Sequence, residues 1–162
     1  MRVWSVLFLC TANSARSILA EAIVNRVSDG RVIGYSAGSH PRGVVHPAAL
    51  RLLSALEYPL EGFRSKGWDE FAGFNAPPID LVVTVCDSAA EEICPVWPGR
   101  PVCAHWGMPD PAAADQDLQD EAFSEIYRQL QDRIAPLLDL HPDRMGPEVF
   151  AQSVQSLHDR LV

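Results

Sequence analysis

The 162-residue chain contains no Cys-x-x-Cys pair and no paired histidine cluster, so its four cysteines, Cys10, Cys86, Cys94 and Cys103, lack the spacing of a zinc site. Neither a metal nor a bound cofactor is therefore expected. Nowhere does an apolar run approach the roughly 18 residues that a membrane helix requires. Positive charge is scarce: 13 Lys and Arg stand against 21 Asp and Glu, and the net charge of −8 would repel a nucleic-acid backbone. The N-terminus runs straight into an apolar stretch, with no basic region, hydrophobic segment and cleavage site in sequence, which makes the cytoplasm the expected compartment. There, four cysteines do not read as a structural disulfide framework. They are redox groups or buried apolar residues, with metal ligation the weaker reading. No internal repeat or low-complexity tract interrupts the chain, and 48% hydrophobic with 21% charged residues suits one globular domain, 1–162.

What is present is organised around Val3 to Val27. Its first part is an apolar run of strand length, Val6 to Leu9. Its last part sets Ile18, Leu19, Ala22, Ile23 and Val27 at helical spacing, so a helix begins near Ala15 or Arg16. Between them lie Cys10, Thr11, Ala12, Asn13, Ser14, Ala15, Arg16 and Ser17. A short loop from a strand into a helix aims several N–H groups at one point, and the helix start adds partial positive charge. Such a loop, Thr11 to Ser17, is a cradle for a tetrahedral oxyanion, which the planar fork of Arg16 can grip by two oxygens. The same field predicts a Cys10 pKa well below the free value of about 8.5. The plainer alternative is a cysteine ending a core strand and an arginine on a helix surface; Arg16 and Ser17 together favour the chemical reading.

Further along, Val32 to Gly38 reads as a second strand, and Ser39 to Gly43 as a loop. His46-Pro47 opens a second helix with Ala49, Leu50, Leu53 and Leu56 on its apolar side. A short helix is expected at Trp68 to Phe71 within the mixed region 58–75. Asp80 to Cys86 is a third strand whose continuous β-branched run suits the middle of a parallel sheet. Asp87 to Ile93 forms a short helix closed by Cys94-Pro95, and Pro101 to Trp106 a fourth strand. A long helix carries Phe123, Ile126, Tyr127, Leu130, Ile134, Leu137 and Leu138 on one face and should bend at Pro136. A last helix, about 147–161, has Phe150, Val154, Leu157 and Leu161 on one side. Alternating strands and helices predict a three-layer α/β fold, a four-stranded parallel sheet flanked by helices. In such sheets ligands bind beyond the carboxyl ends of strands, which is where Cys10, Ser36, Cys86 and Asp110 fall.

Asp110, between Pro109 and Pro111, has two readings: a turn-forming residue, or an acid that protonates a leaving oxygen. Cys86 and Cys94 also have two. They are a buried thiol and an incidental one, or a pair that bonds only if the helix between them opens. Two helical turns hold such sulfurs roughly 10 Å apart by the 1.5 Å rise, whereas a disulfide needs Cα atoms within about 7 Å. A helix that short is marginal on its own, so opening it costs little.

Cys-x5-Arg-Ser directly after a first strand resembles the low-molecular-weight phosphotyrosine phosphatase superfamily, with its flavodoxin-like topology. Two further runs, Cys-Asp-Ser-Ala-Ala-Glu-Glu-Ile-Cys-Pro-Val-Trp-Pro-Gly from Cys86 and His-Trp-Gly-Met-Pro-Asp-Pro from His105, look like the arsenate reductases of that superfamily. The resemblance runs from Val6 to about Leu138 and leaves the last helix uncovered. It implies that Cys10 attacks arsenate, that Cys86 attacks Cys10 and releases arsenite, and that Cys94 resolves the product into a Cys86–Cys94 disulfide. Thioredoxin, or glutaredoxin or a small thiol, would then restore the thiols, and phosphate or sulfate would act as substrate analogues. The resemblance makes Asp110 the acid, gives Asn13 and Ser17 the shaping of the loop, and puts Ser36 behind it. Some relatives hold a potassium ion with an acidic residue near the position of Lys66; a lysine repels that ion, and its ammonium can take its place. Cys103 matches no relay position and is expected in the core. His40, His46 and His105 read as loop or structural groups. Two other functions remain. One is a phosphatase using Cys10, Arg16 and Asp110, against which Ala112 and Ala113 stand where tyrosine phosphatases carry aromatic residues. The other is a cysteine phosphocarrier, which would need neither Asp110 nor the Cys86–Cys94 pair.

Overall fold

The computed structural model describes residues 2–91 and 97–162. Its centre is β1 (Trp4–Cys10), all seven residues of which are buried. Its side chains alternate between two layers, as a strand requires. Val6 and Phe8 enter a large core with Trp106, Phe123, Leu130 and Phe150, while Leu7 and Leu9 meet Phe71, Val82 and Trp97 on the other face. The unbroken apolar run is thus explained by burial on both sides.

α1 (Arg16–Val27) leads to β2 (Val32–Gly38), and α2 (Pro47–Ala55) follows with His46 as its cap, the ring Nδ1 accepting from the Ala48 amide at 3.0 Å. β3 (Leu81–Thr84), α3 (Asp87–Glu91) and β4 (Val102–His105) come next, then α4 (Gln119–Leu137) and α5 (Pro147–Asp159). All pairings are parallel and the order is β2-β1-β3-β4. This is the expected three-layer α/β fold. The chain leaves β1 for β2 on one side and reaches β3 on the other, so the strand order reverses at β1. The crevice between β1 and β3 is where such a sheet receives a ligand.

Several details differ from the pattern. β3 is shorter than 80–86: the backbones of Asp80 and Val85 still bond to their neighbours, Asp80 N to Ser5 O at 3.1 Å and Val85 N to Leu9 O at 2.8 Å, but the strand register runs only from Leu81 to Thr84. Cys86 therefore lies past the strand, at the entrance to α3. Pro136 stands one residue before α4 ends. Leu161 is half exposed because α5 has already stopped at Asp159. Cys103, expected in the core, is exposed. It sits on the edge strand β4, opposite Val82, on the face with the smaller core, where little covers the edge. Among the described residues no helix is long and apolar enough to cross a membrane.

Candidate active site

The loop between β1 and α1 is braced from outside by backbone bonds. Thr11 O accepts from the His40 amide at 2.9 Å, Ala12 O from the Arg42 amide at 3.0 Å, and Ser14 O from the His46 amide at 2.9 Å. The Ser65 hydroxyl adds a second bond to Ala12 O at 3.0 Å. In a trans peptide the carbonyl and the following N–H point opposite ways. The amides of Ala12, Asn13 and Ala15 therefore face away from these braces, into the concave side of the loop, the orientation that an anion cradle needs. The close approach of the bracing segment depends on Gly38, where a Cβ would come 2.4 Å from Thr11 O.

Asn13 adopts φ +46°, a left-handed conformation that asparagine tolerates better than most residues. Its side chain lies behind the loop, with Oδ1 accepting from the Lys66 amide at 2.9 Å and Nδ2 donating to Ser17 Oγ at 2.8 Å. Because that oxygen accepts from Asn13, its own hydrogen is free to go to Cys10 Sγ, 2.9 Å away. Asn13 and Ser17 are fully buried, so their side chains hold the loop rather than line its mouth. Ala12, Ser14, Ala15 and Arg16 border a cavity of about 580 Å³, closed opposite by Asp110 and Ala112.

Cys10 is 3% exposed at the floor of this cavity. Burial pushes its thiol above the ordinary range and outweighs the opposing pull of the Ser17 hydroxyl and amide and of the Arg16 charge. This corrects the sequence expectation of a thiol well below 8.5. Arginine and helix start are visible in a sequence, but the degree of desolvation is not.

Arg16 donates through Nη1 to Met108 O at 2.8 Å, and its Nη2 is 3.9 Å from Asp110 Oδ1. Its Nε is buried without a hydrogen-bond partner among the described residues. A buried donor of a charged group left unpaired costs roughly 1–3 kcal/mol, and an oxyanion in the loop would satisfy it. The Asp110 carboxylate is aimed by the Ala112 amide, which donates to Oδ1 at 3.0 Å.

Cys86, also 3% exposed, brings a second thiol to the same loop: its Sγ is 3.7 Å from Thr11 Oγ1. The third predicted relay residue, Cys94, lies outside the described residues. Lys66 occupies the place where a cation was in question. Its ammonium donates to Ser36 Oγ at 3.3 Å and Arg64 O at 3.1 Å and is 3.5 Å from Glu21 Oε1, while the Ser36 hydroxyl donates to that same carboxylate at 2.7 Å. Burial lowers the Lys66 pKa against the pull of Glu21. Lys66→Met strands the Glu21 carboxylate and is expected to cost about 3 kcal/mol, read as a lower urea midpoint; an unchanged midpoint would remove this pair from the account of the loop's support.

Three contributions left no mark that the sequence reading used: the amides of His40, Arg42 and His46, the Ser65 hydroxyl, and the Met108 carbonyl. Backbone groups carry no side-chain signature. The one available signal was the glycine ending the second strand, Gly38, which marks a close backbone approach.

A parallel α/β sandwich with a cysteine-and-arginine loop at its switch point defines a phosphatase-like class of protein. The model of the low molecular weight phosphotyrosine protein phosphatase family matches residues 5–148, and the chain belongs to that family. An arsenate reductase from Halalkalibacterium halodurans is 34% identical over 129 residues, 80% of this chain and 88% of that protein. An arsenate reductase structure from Archaeoglobus fulgidus, 28% identical, superposes with a TM-score of 0.62 over 83% of this chain and 99% of its own. The tyrosine phosphatase Wzb from Escherichia coli K30, solved with sulphate, is 25% identical, with a TM-score of 0.63 over 85% of this chain and 99% of its own.

Proposed function

We propose that the protein reduces arsenate to arsenite by a cysteine thiol relay. The observation that carries this reading is the second buried thiol at one anion loop, with Cys86 Sγ 3.7 Å from Thr11 Oγ1. A phosphatase has no use for it. The relatives named arsenate reductases support the same substrate.

Arsenate enters the loop with its oxygens on the inward amides and on Arg16, including the unpaired Nε. The resting Cys10 is a protonated thiol, and the arriving dianion is the base at hand. Sγ attacks arsenic as its proton passes, by way of the Asp110 carboxylate, to the hydroxyl oxygen of the anion, the As–O bond to that oxygen breaks, and it leaves as water. The Cys86 sulfur then attacks Cys10 Sγ. A sulfur–sulfur bond forms, the sulfur–arsenic bond breaks, and its electron pair stays on arsenic, which leaves as arsenite. Two thiol sulfurs have lost two electrons and arsenic has gained them. Cys94 exchanges into this disulfide, freeing Cys10 and leaving Cys86–Cys94 for a dithiol protein such as thioredoxin.

A specific observation keeps the phosphatase alternative in view: the cavity of about 580 Å³ is larger than a bare oxyanion needs. Against it, Ala112 and Ala113 face that cavity with methyl groups only, beside Asp110, where an aromatic side chain would border a substrate ring. One assay decides. With arsenate, thioredoxin, thioredoxin reductase and NADPH, sustained NADPH oxidation that depends on arsenate is expected. Rapid aryl phosphate hydrolysis without arsenate-dependent oxidation would establish the phosphatase instead. In either chemistry Asp110→Asn should lower turnover about 10²–10⁴-fold with oxyanion affinity nearly kept; wild-type turnover in that variant would make Asp110 a turn residue only.

A further inference from the structure

Cys86 is clipped on both sides by one imidazole. His105, the last residue of β4, bonds through Nδ1 to Thr84 Oγ1 at 2.7 Å and through Nε2 to Asp87 Oδ1 at 2.7 Å. Thr84 ends β3 and Asp87 begins α3, so the ring spans the turn Val85-Cys86 and closes it into a loop. A carboxylate only accepts, which fixes the proton on Nε2. The Asp87–His105 bond passes over Gly107, where a Cβ would stand 2.4 Å from Asp87 Oδ1 and 2.9 Å from His105 Nε2. No side chain other than hydrogen fits under this clip.

The clip is anchored from a distance. β4 is the sheet edge, and among the described residues no strand pairs with the outer side of His105. The side chain of Gln155 takes that place: the His105 amide donates to Oε1 at 2.8 Å, and Nε2 donates to His105 O at 2.6 Å. Gln155 belongs to α5, itself seated by Phe150 against Trp4, with ring centroids 5.5 Å apart, and by Trp106 Nε1 donating to Val154 O at 3.0 Å. The family match ends at residue 148, at the start of α5. The anchor is thus supplied by a segment outside the matched region.

We propose that His105 is a positioning residue for Cys86, and that α5 acts on the thiol through Gln155 and His105. The proposal rests on the relay reading for its role in turnover, but not for the clip itself. The described part of α3, Asp87–Glu91, is less than two turns and has almost no stability of its own. The placement of its head, and so of the thiol just before it, must come from outside bonds. The bonds to Thr84 and Asp87 provide this on either side of the Val85-Cys86 turn, and they hold the Cys86 sulfur beside Thr11. The clip also has to part at Asp87 if α3 opens to let Cys94 reach Cys86. The anion loop makes none of these bonds, so loosening the clip should change the thiol step and leave arsenate binding alone.

The first measurement needs no relay. In the reduced Cys10→Ser/Cys94→Ser/Cys103→Ser chain, Cys86 is the sole thiol, and its rate of alkylation by iodoacetamide reports how often the turn opens. Losing the exposed bond to His105 should raise that rate up to about fivefold in Asp87→Ala, and His105→Ala, which also loses the Thr84 bond, should raise it roughly tenfold. The double variant should be no faster than His105→Ala, because that substitution already breaks the bond that Asp87→Ala removes. Asp87→Asn keeps an acceptor oxygen and should stay within about twofold of the parent, a rescue that a general loss of folding would not show. Gln155→Ala should fall between. In the full chain, Asp87→Ala should lower kcat several-fold with KM for arsenate unchanged. Alkylation of Asp87→Ala at the parent rate, or additive effects in the double variant, would overturn the proposal. If alkylation rises as expected while Cys86→Ser still reduces arsenate at the wild-type rate, the clip stands and the relay falls.

Discussion

In Cys10→Ser, arsenate turnover is expected to fall by roughly 10⁴-fold or more, to the background of the assay. A serine oxygen has no accessible two-electron oxidation comparable to thiol-to-disulfide, so no residue could begin passing electrons to arsenic. The cradle itself should survive. Ser17 Oγ still accepts from Asn13 at 2.8 Å, and the outward carbonyls still meet the amides of His40, Arg42 and His46. Phosphate should therefore bind to Cys10→Ser with near wild-type affinity by calorimetry, which separates lost chemistry from lost structure. Residual arsenate reduction at even a hundredth of the wild-type rate would remove Cys10 from the nucleophile's place. The same variant carries a stability signature. Because burial raises the folded Cys10 pKa above that of the unfolded chain, the wild type is favoured fully below about pH 8.5. It loses that contribution as pH rises through the folded value. Urea midpoints of wild type and Cys10→Ser should accordingly converge or cross on the alkaline side. Parallel curves from pH 7 to 10 would contradict a raised thiol.

The fold was legible because its strongest signals are one-dimensional. The run Val6 to Leu9 and the β-branched third strand are apolar on both sides for the reason a central parallel strand is, and Pro47 and the Ser28–Gly30 turn punctuate helices in the ordinary way. The parallel sheet follows from alternation of strand and helix, whereas its order β2-β1-β3-β4 does not, since right-handed crossovers allow several orders. What failed to read out depends on solvent access. Cys103 and Cys10 are both cysteines at the end or middle of an apolar run. One proves exposed because its strand is an edge, the other buried deeply enough to reverse the sign of its pKa shift. No periodicity distinguishes an edge strand from a central one when each is four residues long. The site shows the same division. Cys10, Arg16 and Asp110 announce themselves by type and spacing. The groups that orient the loop are amides 29 to 32 residues further along, as in Thr11 O to His40 N (|i−j| 29) or Ser14 O to His46 N (|i−j| 32), and any residue except proline could supply them. Gln155 is an extreme case: an unremarkable glutamine on a terminal helix, meaningful only because an edge strand leaves His105 without a partner.

Replacing Cys94 by serine should limit the protein to about one turnover and trap a Cys10–Cys86 disulfide. The expectation comes from electron counting. Each arsenate takes two electrons, which Cys10 and Cys86 supply once; without a third thiol, the disulfide between two residues that are each only 3% exposed is shielded from an external dithiol. Cys94 would carry the oxidised bond to where thioredoxin can attack it. Cys86→Ser should stop one step earlier, with arsenic held on Cys10 and no arsenite released. Mass spectrometry distinguishes the two arrests: a loss of two hydrogens in the first variant, an arsenic adduct in the second, and a Cys86–Cys94 disulfide in the oxidised wild type. Aryl phosphate hydrolysis, which needs Cys10, Arg16 and Asp110 alone, should be left within about twofold in both variants. The helix that the sequence predicts over 87–93 would have to open for a Cys86–Cys94 bond, so amide exchange at 87–91 should quicken on oxidation. Continuous arsenate reduction by Cys94→Ser at the wild-type rate, with thioredoxin as the sole reductant, is the result that would end the three-thiol account. A small thiol attacking the Cys10 adduct directly would then be the better chemistry, and Cys86 would keep only its place beside Thr11.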